Sequence, residues 1–172
     1  VFDEGPHIYT IHGDSNYTSV TTWNKSMFSK FDADKIIDKM MKSSKWPESK
    51  YFNMTKPEIK QMWADSAKEA SSLGTTMHEN IEKFYNNVPV SDVSTEFNYF
   101  LEFHEKHKDE IIAYRTEWMI YDVELKLAGS IDFVYQDKDG NLSIGDWKRS
   151  KEIKKKPFGS ECSVNPIIEH IP

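Results

Sequence analysis

The sequence predicts an α/β domain in which a central mixed β-sheet is flanked by helices and the N-terminal half is helical. Three observations carry this. Apolar residues recur at helical spacing through the first two thirds, two-residue alternation takes over near Ile111, and a glycine-containing turn at Asp137–Asn141 joins two strand-like runs. A chain of 172 residues is the size of one ordinary domain, so a single core spanning 1–172 is expected.

The opening run His7–Ile11 reads as a short strand, followed by turn-like His12–Asn16 and then Ser19-Val20-Thr21-Thr22, together an edge hairpin or arm. Between Ala33 and Met41, Ile36, Ile37, Met40 and Met41 fall at helical spacing, and Trp46-Pro47 ends that helix. Thr55-Lys56-Pro57-Glu58 is a capping box with proline in the first turn. The rhythm from Ile59 to Tyr85 predicts two consecutive helices, or one kinked near Leu73-Gly74-Thr75, stopped by Asn86-Asn87-Val88-Pro89. Thr95–Lys108 places Phe97, Phe100, Leu101 and His104 on one helical face. From there the pattern alternates, predicting a strand through Ile112–Ile120, a second over Leu125–Gln136 and a third over Leu142–Trp147.

Composition narrows the function classes. With 38% apolar, 13% aromatic and 29% charged residues, the chain is neither disordered nor fibrous. No run approaches the roughly 20 apolar residues that cross a bilayer, and Val1-Phe2-Asp3-Glu4 lacks the order of a signal peptide. An intracellular protein without a membrane partner is expected. Cys162 is the only cysteine, which excludes an internal disulfide and cysteine-held zinc or iron–sulfur centres, so any metal is held by oxygen and imidazole. The net charge of −6 argues against wrapping nucleic acid by charge alone, but the basic residues gather from Lys148 to Lys156.

Chemistry concentrates at the hairpin. Asp146 and Lys148, two apart, share a strand face. A two-residue loop at Asp139-Gly140 would pair Asp132 with Trp147 and separate the acids. A three-residue loop with Gly140 left-handed pairs Asp137 with Asn141 and Asp132 with Asp146, and the turn's composition suits it. Carboxylates facing at about 5 Å repel unless a cation lies between them, and Mg²⁺ accepts such a half-open pair. An acid-X-base triplet alone decides nothing, since roughly three or four arise by chance in this composition. The strand and turn context singles out Asp132, Asp146 and Lys148 as the catalytic set.

His78 and Glu82 stack on one side of a helix beside Met77 and Ile81, where they either reach the site or merely pack. Glu117 shares a strand face with Arg115, so a cross-strand salt bridge competes with a metal or supporting role. Arg149, Lys151 and Lys154 are candidate phosphate contacts, or part of a solvated tail.

Gly129-Ser130-Ile131-Asp132, the hairpin and Gly145-Asp146-Trp147-Lys148 resemble the PD-(D/E)XK nuclease superfamily, in particular its RecB-like and lambda-exonuclease-like branches. Gly74-Thr75-Thr76-Met77-His78-Glu79-Asn80-Ile81-Glu82 is similar to the upstream helical motif of that branch, and the match runs from Ser19 to Lys151. The resemblance implies a restriction-endonuclease-like core and Mg²⁺ or Mn²⁺ held by His78, Asp132, Asp146 and the Trp147 backbone carbonyl. It implies that Lys148 assists the attacking water; Glu82 and Glu117, read from their positions, are secondary candidates. Proline is missing before Asp132. Relatives continue into a helix bearing a glutamine and a tyrosine where this chain stops at Pro172, which implies a C-terminally truncated fragment with further domains. The expected activity is hydrolysis of DNA at single- or double-stranded ends, in replication, recombination or repair. Its competitors are an RNA endonuclease of the cap-snatching kind and a catalytically inactive nucleic-acid-binding module.

Overall fold

Short runs of β-prone residues at the N-terminus have too few ladder bonds to stand alone, so they line up beside one another. The structure, a computed structural model, describes residues 1–3, 5 and 8–153. β1 (Phe2–Asp3) pairs antiparallel with β2 (Ile8–Ile11), which pairs antiparallel with β3 (Asp14–Ser19). His7, the expected start of the first strand, lies outside the described residues.

The strand run ends at Ser19, whose Oγ accepts a hydrogen bond from the Thr22 amide at 3.0 Å and caps α1 (Val20–Ser26). Extended backbone was expected through Thr22. A serine cap outweighed the β-branched residues Val20, Thr21 and Thr22, whose helix penalty is small.

Two compact units make up the chain, Lys30–Gly74 and the remainder. Within the first, Asp32 caps α2 (Ala33–Met41), a single 3₁₀ turn covers Trp46–Glu48, and α3 (Lys56–Tyr85) begins. The expected capping box forms: Thr55 N donates to Glu58 Oε2 at 2.7 Å. Ile37 and Ile59 are fully buried, and the Trp63 indole donates to Tyr51 Oη at 2.9 Å. α3 is one helix that runs through Leu73-Gly74-Thr75, because one glycine costs only about 1 kcal/mol in a helix.

In the other unit, the last turns of α3 pack against α4 (Thr95–His107), capped by Ser94. Met77, Ile81, Phe97 and Phe100 form the buried cluster, with Phe84, Tyr85, Leu101 and Trp147 packed on it. Asn80 donates to Asp92 Oδ2 at 2.8 Å, and Asp92 accepts from the Ser94 amide, tying the loop before α4 to α3.

The sheet is completed by β4 (Ile112–Asp122), β5 (Leu127–Gln136) and β6 (Leu142–Gly145). β5 is central. β4 runs antiparallel along one side, while β3, parallel, and β6, antiparallel, share the other side at opposite ends. The six-stranded sheet is therefore mixed and the architecture is mixed α/β. The N-terminal half is not wholly helical, since β1 to β3 belong to this sheet. β6 stops at Gly145, so Asp146 and Trp147, expected within the third strand, lie just past its observed end. Among the described residues, no helix is long and apolar enough to cross a membrane.

Candidate metal centre

The turn between β5 and β6 sets the site. Asp137 N donates to Asn141 O at 2.9 Å, and Gly140, at φ +84°, occupies the left-handed position. Asp137 Oδ1 accepts from the Asn141 amide at 2.8 Å, locking the loop. This is the three-residue loop, and it gives Phe133↔Gly145 and Gln136↔Leu142. Carried one residue past the ladder, that register sets Asp132 opposite Asp146.

The other side of β5 is governed by a bulge. Between Ala113 and Arg115 the register of β4 shifts by one, after which Thr116 pairs with Phe133 and Trp118 with Ile131. Glu117 is thereby bracketed opposite Asp132. It takes φ +43°, a left-handed conformation that costs a non-glycine residue on the order of 1 kcal/mol or more. Asp132 thus has an acid from each neighbouring strand.

His78, on α3, reaches the same point. Its Nδ1 lies 3.4 Å from Glu117 Oε1 and 3.7 Å from Asp132 Oδ2, and its Nε2 is 2.9 Å from the Trp147 carbonyl oxygen. A carbonyl only accepts, so Nε2 carries the proton and donates, leaving the Nδ1 lone pair toward the carboxylates when the ring is neutral. One ligand atom each from His78, Glu117 and Asp132 lies within 4.8 Å of the others. Asp132 is the most enclosed of the acids, its side chain 13% exposed.

Trp147 braces the group through its backbone. Its amide donates to Asp132 Oδ2 at 2.9 Å while its carbonyl, an expected metal ligand, accepts from His78. Its indole packs between Phe100, Phe103 and Phe133, although the indole N–H is buried with no acceptor among the described residues. Ser130, two residues before Asp132, donates from Oγ to Glu117 Oε2 at 3.0 Å. Sequence reasoning gave Ser130 no role, though its two-residue spacing from Asp132 placed it on the same strand face.

Asp146 and Lys148 are more open, with side chains 57% and 73% exposed and Lys148 Nζ donating to Asp146 Oδ1 at 2.9 Å. Asp146 is outside the three-residue group but close enough that its charge helps raise the Asp132 pKa. Glu82, a turn beyond His78, is also outside it. Glu117 takes its bonds from His78 and Ser130, while Arg115 lies over the Trp118 ring. Arg149 is tied to Glu96 at 2.6 Å, Lys151 is exposed, and Lys154 lies outside the described residues.

Electrostatics follow from this crowding. Burial pushes the Asp132 carboxyl above its ordinary value, opposed by the Trp147 amide and the His78 charge. The hydrogen bond to Glu117 raises His78, and the same bond lowers Glu117. The bond to Asp146 raises Lys148, keeping it an ammonium.

The donor set suits a hard divalent ion. Two carboxylates and one imidazole match Mn²⁺ well and Mg²⁺ acceptably. A buried carboxyl raised by desolvation is also one that a cation would relieve.

The chain matches no model of a known protein family, and no curated protein matches it.

Proposed function

We propose that this chain is a divalent-metal-dependent nuclease that hydrolyses DNA phosphodiester bonds, built on a restriction-endonuclease-like core of the PD-(D/E)XK kind. The observation that carries the reading is the convergence of Glu117, Asp132 and His78 within 4.8 Å, with the Lys148 charge close enough to act on both carboxylates. His78, Glu117 and Asp132 would hold the ion, with Asp146 adding negative charge at its open side. A bound Mg²⁺ or Mn²⁺ would polarise the scissile phosphodiester and acidify the attacking water.

The protein's own residues do the rest. Trp147 fixes the Asp132 carboxylate through its amide and the His78 tautomer through its carbonyl, and Ser130 orients Glu117. Lys148, kept charged by Asp146, supplies a fixed cation where negative charge grows on the phosphoryl oxygens. Action from a DNA end, in replication, recombination or repair, completes the reading.

Calorimetric titration with Mn²⁺, paired with cleavage of labelled single- and double-stranded DNA, tests this. Wild-type protein should bind Mn²⁺ and cut, Asp132→Asn should do neither, and Lys148→Ala should bind Mn²⁺ but cut about 100- to 1,000-fold more slowly. Undiminished cleavage by Asp132→Asn would remove the assignment, and gel retardation without cleavage by the wild type would mark a binding module. The imidazole in the ligand set also fits an RNA endonuclease of the cap-snatching kind, and exclusive cleavage of labelled RNA would select that reading.

A further inference from the structure

One residue beyond the acid group, a groove of about 430 Å³ opens along α4. Phe100, Phe103, Trp147 and Tyr99 give it an aromatic lining, and Lys148 and Lys151 stand at its rim. The Arg149–Glu96 ion pair, at 2.6 Å, fixes another stretch of its edge. Its volume falls in the range of small-molecule sites, about 300 to 1,000 Å³, which admits one nucleoside and excludes a duplex. Tyr99, which lines the groove, is 65% exposed, leaving its ring face free to meet a ligand.

Trp147 belongs to both places, because its backbone holds Asp132 and His78 while its indole lines the groove. Lys148 likewise belongs to both, bonded to Asp146 and lining the groove. A phosphate beside the acids would thus have its neighbouring sugar and base within one residue's reach of the aromatic wall. Cations at the rim match the phosphates, and flat apolar faces within match a base, whose stacking is tolerant of sequence.

We infer that the groove lined by Tyr99, Phe103 and Trp147 receives an unpaired nucleobase of single-stranded DNA, next to the phosphate at the acid group. This rests on the nuclease reading for its choice of ligand, and it makes the substrate a single-stranded or frayed end. Tyr99 stacks on the base, and Lys151 contacts the flanking phosphate.

Fluorescence anisotropy with a labelled oligothymidylate of about a dozen nucleotides tests it. All proteins carry Asp132→Asn so that the probe stays intact, and the second probe is a duplex with both ends closed by hairpins. Tyr99→Ala should weaken oligothymidylate binding about tenfold, Tyr99→Phe should retain it, and the control Tyr114→Ala should leave it unchanged. Closed-duplex binding should not respond to Tyr99→Ala. Equal oligothymidylate affinity in Tyr99→Ala and its parent overturns the inference, as does a loss of the same size on the closed duplex. Cleavage by wild type with no Tyr99 effect defeats the groove alone, whereas a Tyr99 effect without cleavage defeats the nuclease reading alone.

Discussion

Glu117 and His78 are each other's chief electrostatic partners, and this has a measurable sign. His78 has its folded pKa raised above 6.5 by the bond to Glu117, so its contribution to stability is complete below 6.5 and disappears as pH rises through the raised value. Glu117 is lowered by the same bond, so its contribution holds above its ordinary value near 4.5 and disappears as pH falls through the depressed one. Asp132 works the other way, because burial raises it and the folded state loses stability as pH climbs past 3.8 toward the raised value. In metal-free buffer, proton NMR should show His78 titrating above 6.5 in the wild type and lower in Glu117→Gln. A wild-type His78 titrating at or below 6.5 would contradict the pairing. Glu117 was visible in the sequence only as one of two equal alternatives. Its place opposite Asp132 follows from the bulge at Ala113–Arg115 and from a Val123–Lys126 connection that contains no glycine, with Lys126 itself at φ +52°. Neither feature has a local residue signature.

The β5–β6 hairpin is the opposite case. Asp137, Gly140 and Asn141 encode the turn within five residues, and the turn alone dictates the register that sets Asp132 against Asp146. Helices α2 to α4 were legible from their apolar rhythm and, for α3, from the Thr55 capping box; the caps Asp32 and Ser94 emerge only in the structure. The Ser19 cap was not legible, because it sits inside a β-branched run whose local preference points to a strand. The hairpin also exposes a steric limit. A Cβ added at Gly145 would lie 3.1 Å from Phe133 Cδ1, inside a fully buried ring contact. Gly145→Ala should therefore cost about 1 to 3 kcal/mol, read as a lower urea midpoint at constant m-value. Ser94→Ala, which removes a cap from α4, should cost about 1 kcal/mol by the same measurement.

For the chain as a whole, the formal charge of −6 bears on how the proposed nuclease would engage nucleic acid. On that proposal Lys148 and Lys151 are the cations nearest the acid group, so few counterions would be released and the salt dependence should be shallow. The affinity should be restored by a divalent ion at the acid group. Mn²⁺ at about 100 times its dissociation constant should stabilise the fold by about 2.7 kcal/mol, seen as an upward shift in melting temperature that Asp132→Asn abolishes.

The aromatic core and the acid group share one residue at their boundary. Phe133 stacks on Tyr85 at 4.8 Å and touches the Trp147 indole, while the peptide groups either side of that indole hold Asp132 and His78. The proposed ligand geometry is therefore not a surface decoration that can be worn away while the scaffold persists. Under gentle heating, loss of the near-ultraviolet tryptophan signal and release of prebound Mn²⁺ should share one midpoint, and trimming Phe133 should move both together.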